Sequence, residues 1–206
     1  MFQRIKKSIT WRIYSLSRYF RQCFGIRDTQ WARVVMDRET KRFIGTLNYR
    51  TYDALEISGD KWKNFGFKTY LNTQYPEYDL CEKPLITNAY DIVIVEQVLE
   101  HVEKPSDAIQ NAWKMLRIGG LFLVTTPFLV RIHLNFCDYS RWTERGLKNL
   151  LAESGFSIDE ITAGSWGNQG CVRANFYGWA NWIPWFDSLD NEPEFPIVVW
   201  AFARKT

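Results

Sequence analysis

Acid is missing from the start of this chain: residues 1–27 carry seven Lys/Arg and no Asp or Glu. Long apolar runs are missing throughout, and no stretch approaches the ~18–20 residues that a membrane-spanning helix needs. Histidine is scarce, with only His101 and His133, and the four cysteines (Cys23, Cys81, Cys137, Cys171) are scattered without a CxxC pair. This argues against a zinc site and a disulfide framework, and reads as a reduced cytoplasmic protein with unpaired thiols. G-x-G-x-x-G is also absent, so the backbone donors that cradle a dinucleotide pyrophosphate are lacking.

A chain of 206 residues is one domain, or one domain plus an extension. That is long enough to bury roughly 70% of its unfolded surface without covalent staples. The net charge of +3 is a property of the N-terminal arm, because the remaining chain holds 19 basic against 23 acidic residues. A mildly acidic core argues against a nucleic-acid groove, which requires a basic stripe.

In the arm, Phe2, Ile5, Ile9, Ile13, Leu16, Phe20 and Phe24 recur at three- and four-residue steps. Arg4, Lys7, Arg18 and Arg21 fall mainly on other faces. Such a basic amphipathic helix suits an anionic membrane surface. Two other readings stay open: a helix docked on the core, and an Arg-rich, acid-poor presequence. A secretory signal is excluded, since the basic residues interrupt any continuous apolar region.

Residues 29–48 read as a second helix, with Trp31, Val34, Val35, Phe43, Ile44 and Leu47 as its apolar set and a break expected near Thr40. Strands are expected at 53–58, 67–72, 91–95 and 121–126, the last two as uninterrupted apolar runs of the buried parallel kind. Between them, Pro105 opens a helix whose inward face is Ala108, Ile109, Ala112, Met115 and Leu116. Arg117 in its last turn and Gly119 just beyond give its stop. Another helix is expected over 143–154, and two last strands over 156–162 and 196–204.

The stretch 90–124 has a strand, an acidic turn with Glu100-His101, an amphipathic helix, the Gly119-Gly120 pair and a second strand. It resembles the back half of class I S-adenosylmethionine-dependent methyltransferases. The resemblance extends over about three quarters of the chain and is most specific at 90–156. It implies a Rossmann-like α/β sheet, mostly parallel with the last strand antiparallel, at residues 50–206 behind an N-terminal helical extension at 1–49. It also implies S-adenosylmethionine as cofactor. The stretch Glu56-Ile57-Ser58-Gly59 takes the place of the family's first motif, with one glycine where G-x-G-x-G is usual and Asp60-Lys61-Trp62 replacing the rest of the loop. Only seven residues separate Gly59 from Phe67. They can span roughly 25 Å when extended, but a parallel crossover usually takes about a dozen residues including a helix. The first crossover helix is therefore expected to be missing, with residues 29–48 covering the sheet beside the first two strands in its place.

The same resemblance assigns cofactor contacts. Asn72 stands at the second strand's end, where a ribose-binding carboxylate is usual. Asp79, with Leu80 beside it, falls at either the adenine-side or the ribose position. Glu96 and Gln97 follow the fourth strand of the family pattern, beside the point where strand order reverses and ligands bind. Gln97 also stands where a metal-binding relative of the E-x-x-E-H type has Glu; an uncharged amide disfavours a hard cation there, so no metal is expected. His101 alone is more commonly structural.

The acceptor is expected over Pro127–Thr143. His133, with a reference pKa of about 6.5, is the candidate general base for a hydroxyl acceptor. Asp138 orients it or acts alone; the alternative is that Asp138, Tyr139 and Arg141 lock the loop. Downstream, Trp166, Phe176, Tyr177, Trp179, Trp182, Trp185 and Phe186 crowd one insertion. It could cap the acceptor site, lie at a membrane interface or form a packing cluster. The resulting expectation is methyl transfer to a small-molecule or glycan acceptor, with O-methylation first among the chemistries. The rival is a catalytically inactive binding module held at the inner face of the membrane, and no nucleic-acid partner is expected.

Overall fold

The computed structural model describes residues 29–132, 137–176 and 178–206. The expectations placed on residues 1–27 and on His133 fall outside these described residues.

One six-stranded sheet organises the domain: β1 (Asp53–Ile57), β2 (Thr69–Thr73), β3 (Tyr90–Glu96), β4 (Leu116–Pro127), β5 (Ile161–Trp166) and β6 (Val198–Arg204), in the order β2-β1-β3-β4-β6-β5. The first four pair in parallel, and β6 runs antiparallel to both β4 and β5. This is the Rossmann-like arrangement expected from the sequence. The apolar runs of β3 and β4 lie at its centre, buried on both faces, because each face carries a layer of helix.

On one face pack α2 (Pro105–Met115) and α3 (Glu144–Glu153). Pro105 sits at the start of α2, where its missing N–H is not needed. Ala108, Ile109, Ala112 and Met115 turn inward and are fully buried, as the helical spacing required. Each large apolar side chain removed from water in this way contributes roughly 1.5–3 kcal/mol. Thr143 caps α3 by accepting from the Gly146 N–H, and Leu147 and Leu151 enter the core.

The opposite face is covered by α1 (Trp31–Gly45) and the short α4 (Gln169–Asn175). The expected break in α1 does not occur. Thr40 is fully buried and its hydroxyl returns a hydrogen bond to the Met36 carbonyl at 2.8 Å, so the polar group is satisfied inside a continuous helix. Ala32 and Met36 join the buried stripe while Val34 is only half-buried.

Other boundaries also moved. The helix expected to stop at Arg117 and Gly119 ends at Met115, and β4 begins at once. Arg117 bridges Asp53 at 2.9 Å and Asp91 at 2.7 Å instead of capping a helix. The strand placed at 156–162 runs over Ile161–Trp166; Phe156 is a core residue stacked on Phe122, with ring centroids 5.6 Å apart. An apolar residue before the strand and the polar alternation within it made that boundary hard to read.

No helix forms between β1 and β2. Residues 60–65 make only turns, with Lys63 N–H donating to Asp60 and Phe65 N–H to Trp62. The cover differs from expectation in one respect. α1 packs on the sheet, but its contacts are with β6 and β5, and Phe43 stacks on Phe202 at 3.8 Å. The cover towards β1 and β2 is completed by an aromatic cluster of Tyr49, Trp62, Phe65 and Phe67. Seven residues are too few for a full crossover helix, but enough to turn two large rings inward.

Candidate active site

The carboxyl ends of β1 and β3 lie side by side, and both strands leave the sheet through a left-handed residue: Ser58 and Gln97 each have φ 56°. A non-glycine residue rarely adopts that conformation without surrounding support. For Gln97 the support comes from β4. Its N–H donates to the Thr125 carbonyl at 2.9 Å, and its side-chain amide reaches the Thr125 hydroxyl at 3.2 Å. For Ser58 it comes from β2, through a 2.8 Å bond to the Thr73 carbonyl.

Two buried carboxylates organise the loop that follows. Glu56 accepts from the backbone N–H groups of Lys61 and Trp62 at 3.2 and 3.0 Å and from the Tyr70 hydroxyl at 2.6 Å. Burial and this carboxylate together hold the Tyr70 phenol well above its ordinary pKa. Glu96 accepts from Arg33 and from the Lys61 ammonium at 2.6 Å each, and from the Trp62 indole N–H at 3.0 Å. Lys61 also pairs with Asp37 of α1. Thus the Asp60-Lys61-Trp62 stretch that replaces the glycine loop is clamped by one strand-end carboxylate on each side. The role of Gly59 is local: a Cβ there would stand 2.5 Å from a Glu56 oxygen, so only glycine fits beside that side chain.

Asn72 donates to the Gly59 carbonyl at 2.9 Å and tethers the loop to β2. Asp79 lies in a turn, where its carboxylate accepts from the Cys81 N–H at 2.8 Å. Leu80 is buried in the same cluster as Ile57, Val95 and Leu99, and its carbonyl accepts from Asn111 of α2. Ile57 is a core residue. Asp138 forms a two-pronged ion pair with Arg141, which engages both carboxylate oxygens and fixes the loop before α3. His133 is outside the described residues. The His101 Nδ1 donates to the Cys137 carbonyl at 2.6 Å. Among the described residues, no group of three or more His, Cys, Asp or Glu is placed to hold a metal.

A cleft of about 200 Å³ opens past the ends of β3 and β4. Its lining includes Gln30 and Arg33 from the start of α1, Gln97 and Glu100 after β3, Val130 after β4, and Trp179. Glu100 enters the sequence reading only through the E-x-x-E-H pattern, and with a metal disfavoured there it is not counted as a site residue. It proves to be fully buried, and neither carboxylate oxygen has a hydrogen-bond partner. Burial pushes its pKa up to about 7, against the opposing pull of Arg141 and Arg33. Two further buried polar atoms on this edge lack partners, Arg33 Nε and the Thr73 hydroxyl at the end of β2. Unpaired buried polar groups cost about 1–3 kcal/mol each. A donor on α1, a hydroxyl at the end of β2 and a carboxylate after β3, all left open, suit a ligand with a carboxylate, ribose hydroxyls and a positive charge. The residues present therefore fit S-adenosylmethionine, with Arg33, Thr73, Gln97 and the Ser58–Gly59 corner as the groups that would hold it.

Comparison with known proteins agrees. Residues 47–124 match the model of a methyltransferase domain family. Over 102 residues the chain is 28% identical to a probable S-adenosylmethionine-dependent methyltransferase of Mycolicibacterium smegmatis, a match covering 44% of this chain and 40% of that relative. The chain thus spans less than half the length of the curated relatives it matches. An S-adenosylmethionine-dependent methyltransferase from Mesorhizobium loti superposes with a TM-score of 0.57 at 15% identity, covering 81% of this chain and 96% of that one. Phosphoethanolamine N-methyltransferase 2 of Haemonchus contortus, solved with phosphomonomethylethanolamine and S-adenosylhomocysteine, gives 0.54 at 14% identity, covering 81% and 51%. Those structures share the fold, and the family match runs from just before β1 into β4.

Proposed function

We propose that this protein transfers the methyl group of S-adenosylmethionine to a hydroxyl of a small molecule or glycan. The observation that carries the reading is the set of unpaired buried polar groups Arg33 Nε on α1 and the Glu100 carboxylate after β3, both of which line the cleft. When bound, the cofactor supplies an electrophilic carbon on a sulfonium, so the chain's own residues need only bind, align and exclude water. The left-handed corners at Ser58 and Gln97 turn backbone away from the sheet and open the crevice. Arg33, held at 2.6 Å by Glu96, has its Nε free to meet a carboxylate. Asp79 is the carboxylate available to adenosine hydroxyls or the adenine edge. Asp138, held through both oxygens by Arg141, suits the loop-locking role, and His133 lies outside the described residues.

Calorimetry with S-adenosylhomocysteine tests this. Wild type is expected to bind, and Asp79→Ala to weaken binding about five- to thirtyfold through loss of a charge-assisted hydrogen bond worth ~1–2 kcal/mol. Absence of heat at millimolar ligand would favour the inactive binding module.

A second reading, attachment to an anionic membrane, is favoured by the place where residues 1–27 join the domain. Thr29 accepts from the Trp182 N–H at 2.9 Å, and Gln30 forms a bridge with Asn181. Trp166 is buried and Trp182 partly so, but Phe176, Trp179, Trp185 and Phe186 are exposed, the last by 80%. A basic arm joined to a segment with exposed aromatics suits the headgroup interface. Co-sedimentation with liposomes is expected to need anionic lipid, to weaken with salt and to vanish when residues 1–27 are deleted. Equal binding to neutral vesicles would remove this reading. Among the described residues no helix is long and apolar enough to cross a membrane.

A further inference from the structure

Glu100 is an anomaly that the fold does not explain. It lies on the short turn Leu99–His101 after β3, four positions past Glu96, with its side chain fully buried. Its backbone is used, since its carbonyl accepts from the Tyr139 N–H at 2.8 Å and ties the Asp138–Arg141 loop down over it. Its carboxyl group holds nothing: the nearest ring nitrogen, Nε2 of His101, is 3.7 Å away, too far for a hydrogen bond. Glu56 and Glu96, by contrast, are saturated by their own chain. Asp138 is engaged by Arg141 through both oxygens. Among the described residues, Glu100 both lines the cleft and has its carboxylate oxygens without a hydrogen-bond partner.

Resting on the methyl-transfer reading, we propose that Glu100 takes the proton of a hydroxyl acceptor seated in the cleft, and that it is armed for this by the positive charge of the cofactor. The acceptor oxygen forms its bond to the methyl carbon with a lone pair. The carbon–sulfur bond breaks with its pair going to sulfur. The O–H pair stays on oxygen while the proton passes to the Glu100 carboxylate. The products are a methyl ether, a neutral thioether and a protonated Glu100, which balances charge and atoms.

Arming follows from electrostatics. Burial holds this carboxyl's pKa up at about 7, so it keeps a proton where an exposed glutamate has lost it. The groups that face it are Arg33 from α1, His101 beside it, and Asp138 and Arg141 from the loop before α3. A positive charge bound within about 4–6 Å would favour the carboxylate and lower its pKa. The sulfonium form of the cofactor carries that charge and the thioether product does not. The base would then be ionised when a methyl group is available and re-protonated after transfer.

The test needs no identified acceptor. The full chain is titrated at pH 7 with S-adenosylmethionine and, separately, with S-adenosylhomocysteine, in phosphate and in Tris. These buffers differ in ionisation heat, so the comparison counts protons exchanged on binding. The sulfonium ligand is expected to release about half a proton more than the thioether. Glu100→Gln, which keeps shape and cannot ionise, is expected to abolish that difference. An equal proton count for the two ligands in wild type, or a difference that persists in Glu100→Gln, overturns the proposal while leaving methyl transfer standing. Failure of wild type to bind either ligand removes the methyl-transfer reading itself, and Glu100→Asp, similarly shaped but ionisable, should restore part of the proton release.

Discussion

Glu100→Gln is expected to gain stability over wild type as the pH rises, by about 2–3 kcal/mol between pH 5 and pH 8. In the unfolded chain this carboxyl loses its proton near its ordinary value of 4.5, but in the folded protein burial holds it to about 7. Between those values the folded state binds more protons than the unfolded one, so wild-type stability falls as pH rises and levels off above the folded pKa. The amide has no proton to lose, and the variant escapes this slope. For a chain of this size the gain corresponds to roughly 5–10 °C in Tm at pH 8. Urea unfolding of both proteins across the range measures it. A stability difference that stays flat from pH 5 to pH 8 would show that the carboxylate is hydrated, and would also weaken its case as the proton acceptor.

Trp62→Ala is expected to destabilise the domain by about 3–5 kcal/mol, the range for removing a large buried ring. Trp62 is fully buried, meets Phe65 edge-on at 4.9 Å, and donates its indole N–H to Glu96. It stands in for the absent crossover helix, so its loss opens the cover over β1 and removes one of the loop's ties to Glu96. Trp62→Phe separates the two contributions. It keeps most of the packing and leaves one Glu96 oxygen short of a donor, at about 1–3 kcal/mol. Equilibrium urea unfolding ranks the three proteins, and a Trp62→Phe cost equal to that of Trp62→Ala would mean that the hydrogen bond, rather than the ring, secures the loop.

These two residues show where sequence stops informing. The strands of the parallel core, α2 and its inward face, and the missing crossover helix were legible because each rests on local pattern: apolar runs, helical spacing, a link too short to coil. The site was legible in outline only. Glu56, Ser58, Gly59, Glu96 and Gln97 do meet at adjacent strand ends, as the register of β1 with β3 dictates. What each does there was not legible, because a glutamate that clamps a loop and a glutamate that faces a ligand look alike in sequence. Asp60-Lys61-Trp62, which read as erosion of a glycine motif, forms an alternative plug of ion pair, hydrogen bonds and ring.

The sequence by itself determined the buried strands at the centre of an open α/β sheet, the helix between them and the absence of a first crossover helix. These follow from side-chain periodicity and chain length, which act over a few residues. Only the tertiary structure decided which charges are spent and which are open. Glu96 meets Arg33 and Lys61 from segments 63 and 35 residues away, while Glu100, four positions further along, is enclosed by the Asp138–Arg141 loop without a partner. Whether a carboxylate is neutralised depends on what distant parts of the chain bring to it and how much water they exclude, and neither is written in its neighbours.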